Sequence, residues 1–200
     1  MTFIELIVVI GIFATISGVV LFNFTGFSTN ISLQNLANQI ALQLKKAQTQ
    51  ALSGTGGSAL FGINKPSYGI VFDTTKPSEF DFFADGINGN PQDGMNNDTN
   101  CLSGVDECRD RITIKTGDTV SNLAAGDANA STCPNALTVT FRRPFPDANF
   151  YVGGVPDSLS PKVGIEITSP KQVKKTIIVW STGQIEIKNN PISVDFPPCQ

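Results

Sequence analysis

The chain has 200 residues with a formal net charge of −3, and 40% of the residues are hydrophobic while 16% are charged. This length suits one ordinary domain with an appendage, and the apolar content excludes a disordered chain. The small negative charge gives no overall attraction to nucleic acid. Histidine is absent, which removes the commonest general base and a common zinc ligand.

The chain begins with an apolar run that carries one carboxylate. Residues 6–22 are apolar or small, with Thr15 and Ser17 as their polar side chains. About 20 such residues in a helix cross the core of a bilayer. An ionised Glu5 beside that core costs roughly 3 kcal/mol without a partner, so the sequence predicts that Glu5 is paired.

The pairing group is expected to be the α-amine of Met1. A secretory signal peptide or a plain membrane anchor carries flanking basic residues, and the first Lys of the chain is Lys45. One helical turn separates Met1 from Glu5, so the amine and the carboxylate can pair within a chain or between staggered chains.

The stretch MTFIELIVVI at residues 1–10 resembles the N-terminus of mature type IV pilins and type II secretion pseudopilins, with Met in place of the commoner Phe at the first position. The resemblance implies that a prepilin peptidase cuts before Met1 and methylates its amine. It also implies that Glu5 neutralises the amine of an adjacent subunit during filament assembly. Dry helical bundles favour small residues at their contacts, and the residues expected to pack in the filament core are Phe3, Leu6, Gly11, Ala14 and Gly18.

The resemblance further implies a structural pilin subunit of an extracellular filament, used for adhesion, twitching motility or DNA uptake. The subunit would reside in the cytoplasmic membrane before a platform protein and an ATPase add it to the filament. The alternative is a minor pilin or pseudopilin of a secretion or competence system, which acts as a tip or binding module. The sequence shows no catalytic constellation, so we expect a protein that is not an enzyme.

The helix is predicted to continue to residue 53, with residues 1–24 as its membrane or filament-core half. Its second half has an apolar stripe with helical spacing formed by Leu33, Leu36, Ala37, Ile40, Leu44, Ala47 and Ala51. The glycines at 54, 56 and 57 are expected to end it.

Residues 54–200 are expected to form a β-rich head. Several segments alternate apolar and polar residues as half-buried antiparallel strands do: 68–73, 79–85, 111–116, 136–143, 162–168, 176–181 and 184–188. The predicted fold class is α+β, with one long helix packed on an antiparallel sheet. The strand order resembles that of H-type and FimT-like pseudopilins.

The loop between residues 85 and 110 is rich in Asp, Asn and Gly. Oxygen ligands in such number suit Ca²⁺, although the same residues also dominate loops for turn chemistry. The spacing is not that of an EF-hand. The candidate calcium ligands are Asp85, Asn88, Asn90, Asp93 and Glu107.

Four cysteines are irregularly spaced, which favours disulfides over zinc and allows three connectivities. Local closure favours a bridge between Cys101 and Cys108, which leaves Cys133 with Cys199. The second bridge would tie the C-terminal tail to the head, similar to the disulfide-bounded region of many pilins.

A weak DNA-binding function is also considered, because several basic residues can form a patch for phosphates. Scattered, solvated charges are the simpler interpretation. The residues are Arg109, Arg111, Arg142, Arg143, Lys171, Lys174 and Lys175.

Overall fold

A computed structural model of the chain describes residues 2–54, 66–86, 93–94, 96, 101, 107–127 and 129–197, without the side chains of residues 20–28. Helical backbone, α1, spans Phe3–Ser53. A short 3-10 turn lies at Ile192–Val194. The strands, in chain order, are β1 Ser67–Asp73, β2 Glu79–Asp85, β3 Cys108–Thr113, β4 Thr119–Gly126, β5 Ser131–Thr132, β6 Ala136–Phe141, β7 Ala148–Val152, β8 Val155–Asp157, β9 Lys162–Thr168, β10 Lys174–Trp180 and β11 Ile185–Lys188.

The predicted architecture of one long helix on one sheet is wrong. The strands form two antiparallel sheets, a six-stranded sheet in the order β3-β2-β1-β6-β7-β8 and a five-stranded sheet in the order β11-β10-β9-β4-β5. The described side chains of α1 fall into two stretches, 3–19 and 29–53, and buried residues occur in the second of them alone. The described residues form 11 strands, four more than predicted. A twisted open sheet rarely exceeds about 10 strands without splitting into two packed sheets, so the additional strands favour two sheets over one.

The core lies between α1 and the inner faces of both sheets. Residues 29–53 pack against β1 and β6 of one sheet and against β9, β10 and β11 of the other. The predicted apolar stripe of the helix is confirmed, because all seven of its residues are buried. Tyr68, Ile70 and Phe72 alternate along β1 and bury their side chains in the same core.

The predicted strands are present with shifted ends, and four others were missed. The third predicted strand begins and ends three residues earlier than expected, at Cys108–Thr113. The missed strands are β4, β5, β7 and β8. Strand β4 reads TVSNLAAG, and its polar and small residues hide the alternation on which the prediction depends. Strands β5 and β8 have two and three residues, which is too short for a periodic signal.

Strand β9 is buried on both faces because a second cluster covers the side away from the helix. That cluster contains Ala124, Ile178, Ile192 and Phe196. A Cβ added at Gly164 would lie 2.6 Å from the Phe196 ring. The absence of a side chain at Gly164 therefore lets the C-terminal turn pack directly on the sheet.

Polar side chains attach residues 29–53 to the head at both ends of the stretch. Near the start, Ser32 Oγ donates a hydrogen bond to Asp118 Oδ2 at 2.7 Å, and Lys175 Nζ donates to Gln34 Oε1 at 2.6 Å. Near the end, Gln48 Nε2 donates to the carbonyl oxygens of Pro146 and Gly183 at 2.8 and 3.2 Å. These hydrogen bonds fix the position of the helix along both sheets.

The helix ends at a glycine in the left-handed conformation, as predicted. Gly54 has φ 64°, and its N–H donates to the carbonyl oxygen of Gln50 at 3.1 Å. Such a C-cap strongly favours glycine because no Cβ is present to clash. The other two glycines of the predicted stop, at 56 and 57, lie outside the described residues.

Candidate functional site

The first stretch of α1, residues 3–19, presents its apolar side chains outward. Phe3 is 81% exposed and Phe13 is 74% exposed, and Leu6 is also exposed. Every residue from 3 to 16 is exposed. Contiguous apolar surface of this kind on a protein marks a place where another apolar surface binds.

Within the part of the chain that the structure describes, no helix combines the length and the apolar character that a membrane crossing requires.

Glu5 lies in the first turn of this stretch and makes a local hydrogen bond. Its Oε2 accepts the backbone N–H of Thr2 at 3.3 Å. This is one half of a capping box, in which an acidic side chain three residues after the N-cap binds an unsatisfied backbone donor. The expected partner amine of Met1 lies outside the described residues, so the pairing of Glu5 with Met1 stays a prediction.

Thr2 is the N-cap of α1, which the sequence analysis did not predict. The pattern Thr-x-x-Glu at residues 2–5 is the signature of a capping box, and it precedes an apolar helical run. The carboxylate of Glu5 also lies near the positive end of the helix dipole, where a negative charge is stabilising. Glu5 therefore has a local role in addition to any role between subunits.

Three small residues of this stretch lie on one side of the helix. Gly11, Ala14 and Gly18 are spaced by three and four residues, which places them on one face. A Cβ added at Gly11 or at Gly18 would meet no atom within 4 Å. A second helix can therefore approach the backbone closely along this face.

One predicted disulfide is confirmed. Cys101 and Cys108 are bonded to each other, with their Cα atoms 4.8 Å apart. Cys133 is also disulfide-bonded, and Cys199 lies outside the described residues. The pairing of Cys133 with Cys199 stays a prediction.

Three of the five candidate calcium ligands, Asp85, Asp93 and Glu107, lie among the described residues at the base of the 85–110 loop, and their oxygen atoms do not form a group of possible metal ligands. Asp85 is the last residue of β2, Glu107 directly precedes β3, and the N–H of Ala84 donates to the carbonyl oxygen of Glu107 at 2.8 Å. Asp85 Oδ2 accepts the N–H of Gly94 at 3.1 Å, which brings Asp93 to the same place. Asn88 and Asn90 lie outside the described residues.

The carboxylates of this cluster are buried. Asp85 is 2% exposed and Glu107 is 0% exposed, and Glu107 Oε1 accepts the N–H of Gly86 at 3.2 Å. The pKa of Asp85 is raised to about 7, chiefly by burial and also by the negative charges of Glu107 and Asp93, against the lowering effect of hydrogen bonds from the backbone N–H groups of Gly94 and Asp93. Tyr151 of β7 packs against Gly94, because a Cβ at Gly94 would overlap its ring.

Among the described residues, one group of three possible metal ligands lies elsewhere. Asp81, Cys101 and Cys108 have ligand atoms within 4.8 Å of one another. The two sulfur atoms are joined in a disulfide and have no thiolate to offer a metal. This group does not form a metal site.

Four of the seven basic residues considered for DNA binding make contacts within the protein. Arg111 forms a bidentate pair with Asp81 at 2.7 and 2.9 Å, and Lys174 pairs with Glu166 at 3.0 Å. Arg143 Nε donates to the carbonyl oxygen of Ala51 at 2.9 Å. Lys175 is buried, donates to side-chain amides of Gln34 and Asn189, and has a pKa that burial lowers. These contacts are structural, and they give no support to a phosphate-binding patch.

Comparison of the chain with known protein families, with curated proteins and with solved structures finds no match.

Proposed function

We propose that this chain is a structural subunit of an extracellular type IV pilus-like filament, which it joins through residues 3–19. The observation that carries the proposal is the contrast between the two described stretches of α1. Residues 29–53 bury an apolar stripe against the head, whereas residues 3–19 present apolar side chains with no covering surface in the single chain. Burial of apolar surface contributes about 25 cal/mol per Å², so packing this stretch against copies of itself would strongly favour assembly.

Glu5 supplies specificity in this proposal. A carboxylate that enters a dry helical bundle is costly unless it is paired, and water no longer screens a pair that forms there. The proposal places the mature N-terminus at Met1, whose amine would be methylated and would bind Glu5 of a neighbouring subunit. The hydrogen bond from Thr2 to Glu5 supports this arrangement, because it holds the carboxylate at the tip of the helix.

The rest of the proposal follows the resemblance to pilins. Before assembly, the apolar stretch would anchor the subunit in the cytoplasmic membrane. A prepilin peptidase would process the subunit, and a platform protein and an assembly ATPase would add it to the filament. The head would then form the outer surface of a filament used for adhesion, motility or DNA uptake. Its role would be structural and not catalytic.

Substitution of Glu5 tests the proposal in cells that contain the assembly machinery. Glu5→Gln keeps an acceptor for the Thr2 N–H, since Gln also serves in capping boxes, but it removes the charge. We expect both Glu5→Gln and Glu5→Ala to lower filament yield in the sheared fraction at least about tenfold, while subunit levels in the membrane fraction stay normal. An unpaired Met1 amine in a dry core costs several kcal/mol.

Glu186→Gln is the matched control, because Glu186 lies on β11 in the head with Lys188 Nζ 3.9 Å away. Filament yield of this variant should equal that of the wild type. Wild-type yield from Glu5→Gln would refute an electrostatic role, and wild-type yield from Glu5→Ala would refute the proposal as a whole. The copy number of the subunit per filament separates the structural role from the alternative of a minor tip subunit.

A further inference from the structure

We propose that a groove between β5 and β8 binds the loop of residues 142–147 from a second copy of the chain, an inference that rests on the proposed filament. Strand β5 lies at one edge of the five-stranded sheet, and β8 lies at one edge of the six-stranded sheet. The loop connects β6 to β7. The side chain that enters the groove is Phe145.

The groove is an opening between the edges of the two sheets. It has a volume of about 610 Å³, within the range of roughly 300–1,000 Å³ that is usual for binding sites. Its lining reaches the core, because Ala125 belongs to the core cluster and Val152 packs against that cluster. Val155 and Leu159 also line the groove and are 65% and 93% exposed. Apolar side chains exposed together in this way mark a place where another apolar group binds.

Phe145 is an exposed aromatic side chain on a loop that is held in place. It is 65% exposed, and it has a proline on each side, which restricts the backbone. Arg143 Nε donates to the carbonyl oxygen of Ala51 at 2.9 Å, and the carbonyl oxygen of Pro146 accepts Gln48 Nε2 at 2.8 Å. The loop is therefore attached to α1 on both sides of Phe145. An aromatic side chain fixed before binding loses little conformational entropy, and aromatic residues commonly anchor protein interfaces.

The groove and the loop carry opposite charges. The described residues that line the groove include Asp127 and Asp157 and no Lys or Arg. Hydrogen bonds from the backbone N–H groups three and two residues further on lower the pKa of Asp127, which favours its charged form. The loop contains two arginines and one aspartate, and its Arg142 is exposed. Complementary charges of this kind select the partner and fix its orientation.

The contact joins two different surfaces of the head, since no residue of the 142–147 loop lines the groove of its own chain. Each subunit therefore offers one groove and one loop. Contacts between unlike surfaces that do not close into a ring generate helical filaments. In this arrangement residues 3–19 drive assembly, and the groove sets how neighbouring heads are placed.

An exchange of charges between groove and loop tests the contact in cells that contain the assembly machinery. Leu159→Arg places a positive charge in the groove against Arg142, and Arg142→Glu places a negative charge against Asp127 and Asp157. We expect each variant to lower filament yield in the sheared fraction at least about fivefold, and the double variant to recover to within about twofold of the wild type. Both positions are exposed, so Tm of the full chain in detergent should stay within about 2 °C of the wild type.

Val194→Arg is the control, because Val194 is 66% exposed and does not line the groove, and its filament yield should equal that of the wild type. Phe145→Ser should lower yield as Leu159→Arg does. Wild-type yield from Phe145→Ser or from both charge variants would overturn the contact while leaving the proposed function intact, as would a double variant no better than the poorer single one. Absence of filaments from the wild type would instead refute the proposed function, and this contact with it.

Discussion

The Nε atom of Arg143, just after β6, donates a hydrogen bond to the carbonyl oxygen of Ala51 at 2.9 Å. The last carbonyl groups of a helix have no partner within the helix, and a positive charge beside them also interacts well with the helix dipole. The guanidinium occupies the space that a Cβ of Gly54 would need. Arg143 and Gly54 therefore terminate α1 as a unit and attach its end to the six-stranded sheet.

Replacement of Arg143 by Ala should destabilise the head. Loss of a charged hydrogen bond and of the dipole interaction costs about 1–2 kcal/mol, which corresponds to a fall in Tm of roughly 2–8 °C for a domain of this size. The neighbouring and exposed Arg142 provides the control, and Arg142→Ala should leave Tm within about 1 °C of the wild type. Thermal denaturation followed by circular dichroism measures both variants, and equal Tm values would contradict the capping role.

The stability of the protein should depend on pH through Asp85. Its pKa is about 7 in the folded chain against an ordinary value of 3.8, so the folded state binds more protons than the unfolded state between these values. The stabilisation is complete below pH of about 4, declines as pH rises, and is lost above pH of about 7.

We therefore expect Tm of the wild type to fall by roughly 5 °C between pH of about 5 and 8, relative to Asp85→Asn, in which the group is absent. The difference between the two proteins cancels the contributions of other titrating groups. A difference in Tm that does not change with pH, or that grows more favourable to the wild type as pH rises, would show that Asp85 is ionised throughout.

The elements that could be predicted from the sequence are those in which apolar residues recur with one spacing over many positions. The helical stripe from Leu33 to Ala51 is recognisable because seven apolar residues repeat at steps of three and four, and the strands around Ile70 and Ile165 carry dense β-branched and aromatic residues. The number of sheets was not accessible in this way. It depends on short strands and on β4, in which Asn122 and three small residues interrupt the alternation.

The burial of two predicted calcium ligands was not predictable for a similar reason. The composition of the 85–110 loop indicated turns with many side-chain oxygen atoms, but it could not distinguish buried carboxylates from solvated ones. Asp85 and Glu107 are buried because one ends β2 and the other directly precedes β3, at the same end of this strand pair. Their positions therefore depend on the register of β2 with β3. Register is a tertiary property and does not follow from the residues of the loop itself.

The second disulfide should join Cys133 to Cys199. Ser131 Oγ donates a hydrogen bond to the carbonyl oxygen of Pro197 at 2.7 Å, and each of these residues lies two positions before one of the two cysteines. Peptide mapping under non-reducing conditions should yield this crosslink together with that of Cys101 and Cys108. A crosslink between Cys101 and Cys133 would contradict it. Conversion of both Cys133 and Cys199 to Ser should cost up to about 4 kcal/mol in the chain-entropy model.

The small side chains of the exposed apolar stretch should matter for assembly and not for folding of the head. Gly11→Leu meets no neighbouring atom in the single chain at its Cβ, and leucine is a better helix former than glycine, so Tm of the head should be unchanged. If helices approach one another along the face of Gly11, Ala14 and Gly18, the added side chain prevents that approach, and filament yield should fall at least about tenfold.

Gly11→Ala adds one methyl group at the same position and should have an intermediate effect. Filament yield should therefore fall in steps as the side chain at position 11 becomes larger. Gln39→Leu places an additional leucine at an exposed position of the second stretch of α1, residues 29–53, and controls for hydrophobicity alone, so its filament yield should match the wild type. Yield is measured in the sheared fraction and normalised to subunit in the membrane fraction. Unchanged yield from Gly11→Leu and from the corresponding Gly18→Leu would show that this face is not where subunits meet, because a leucine cannot be accommodated between closely packed helices without separating them.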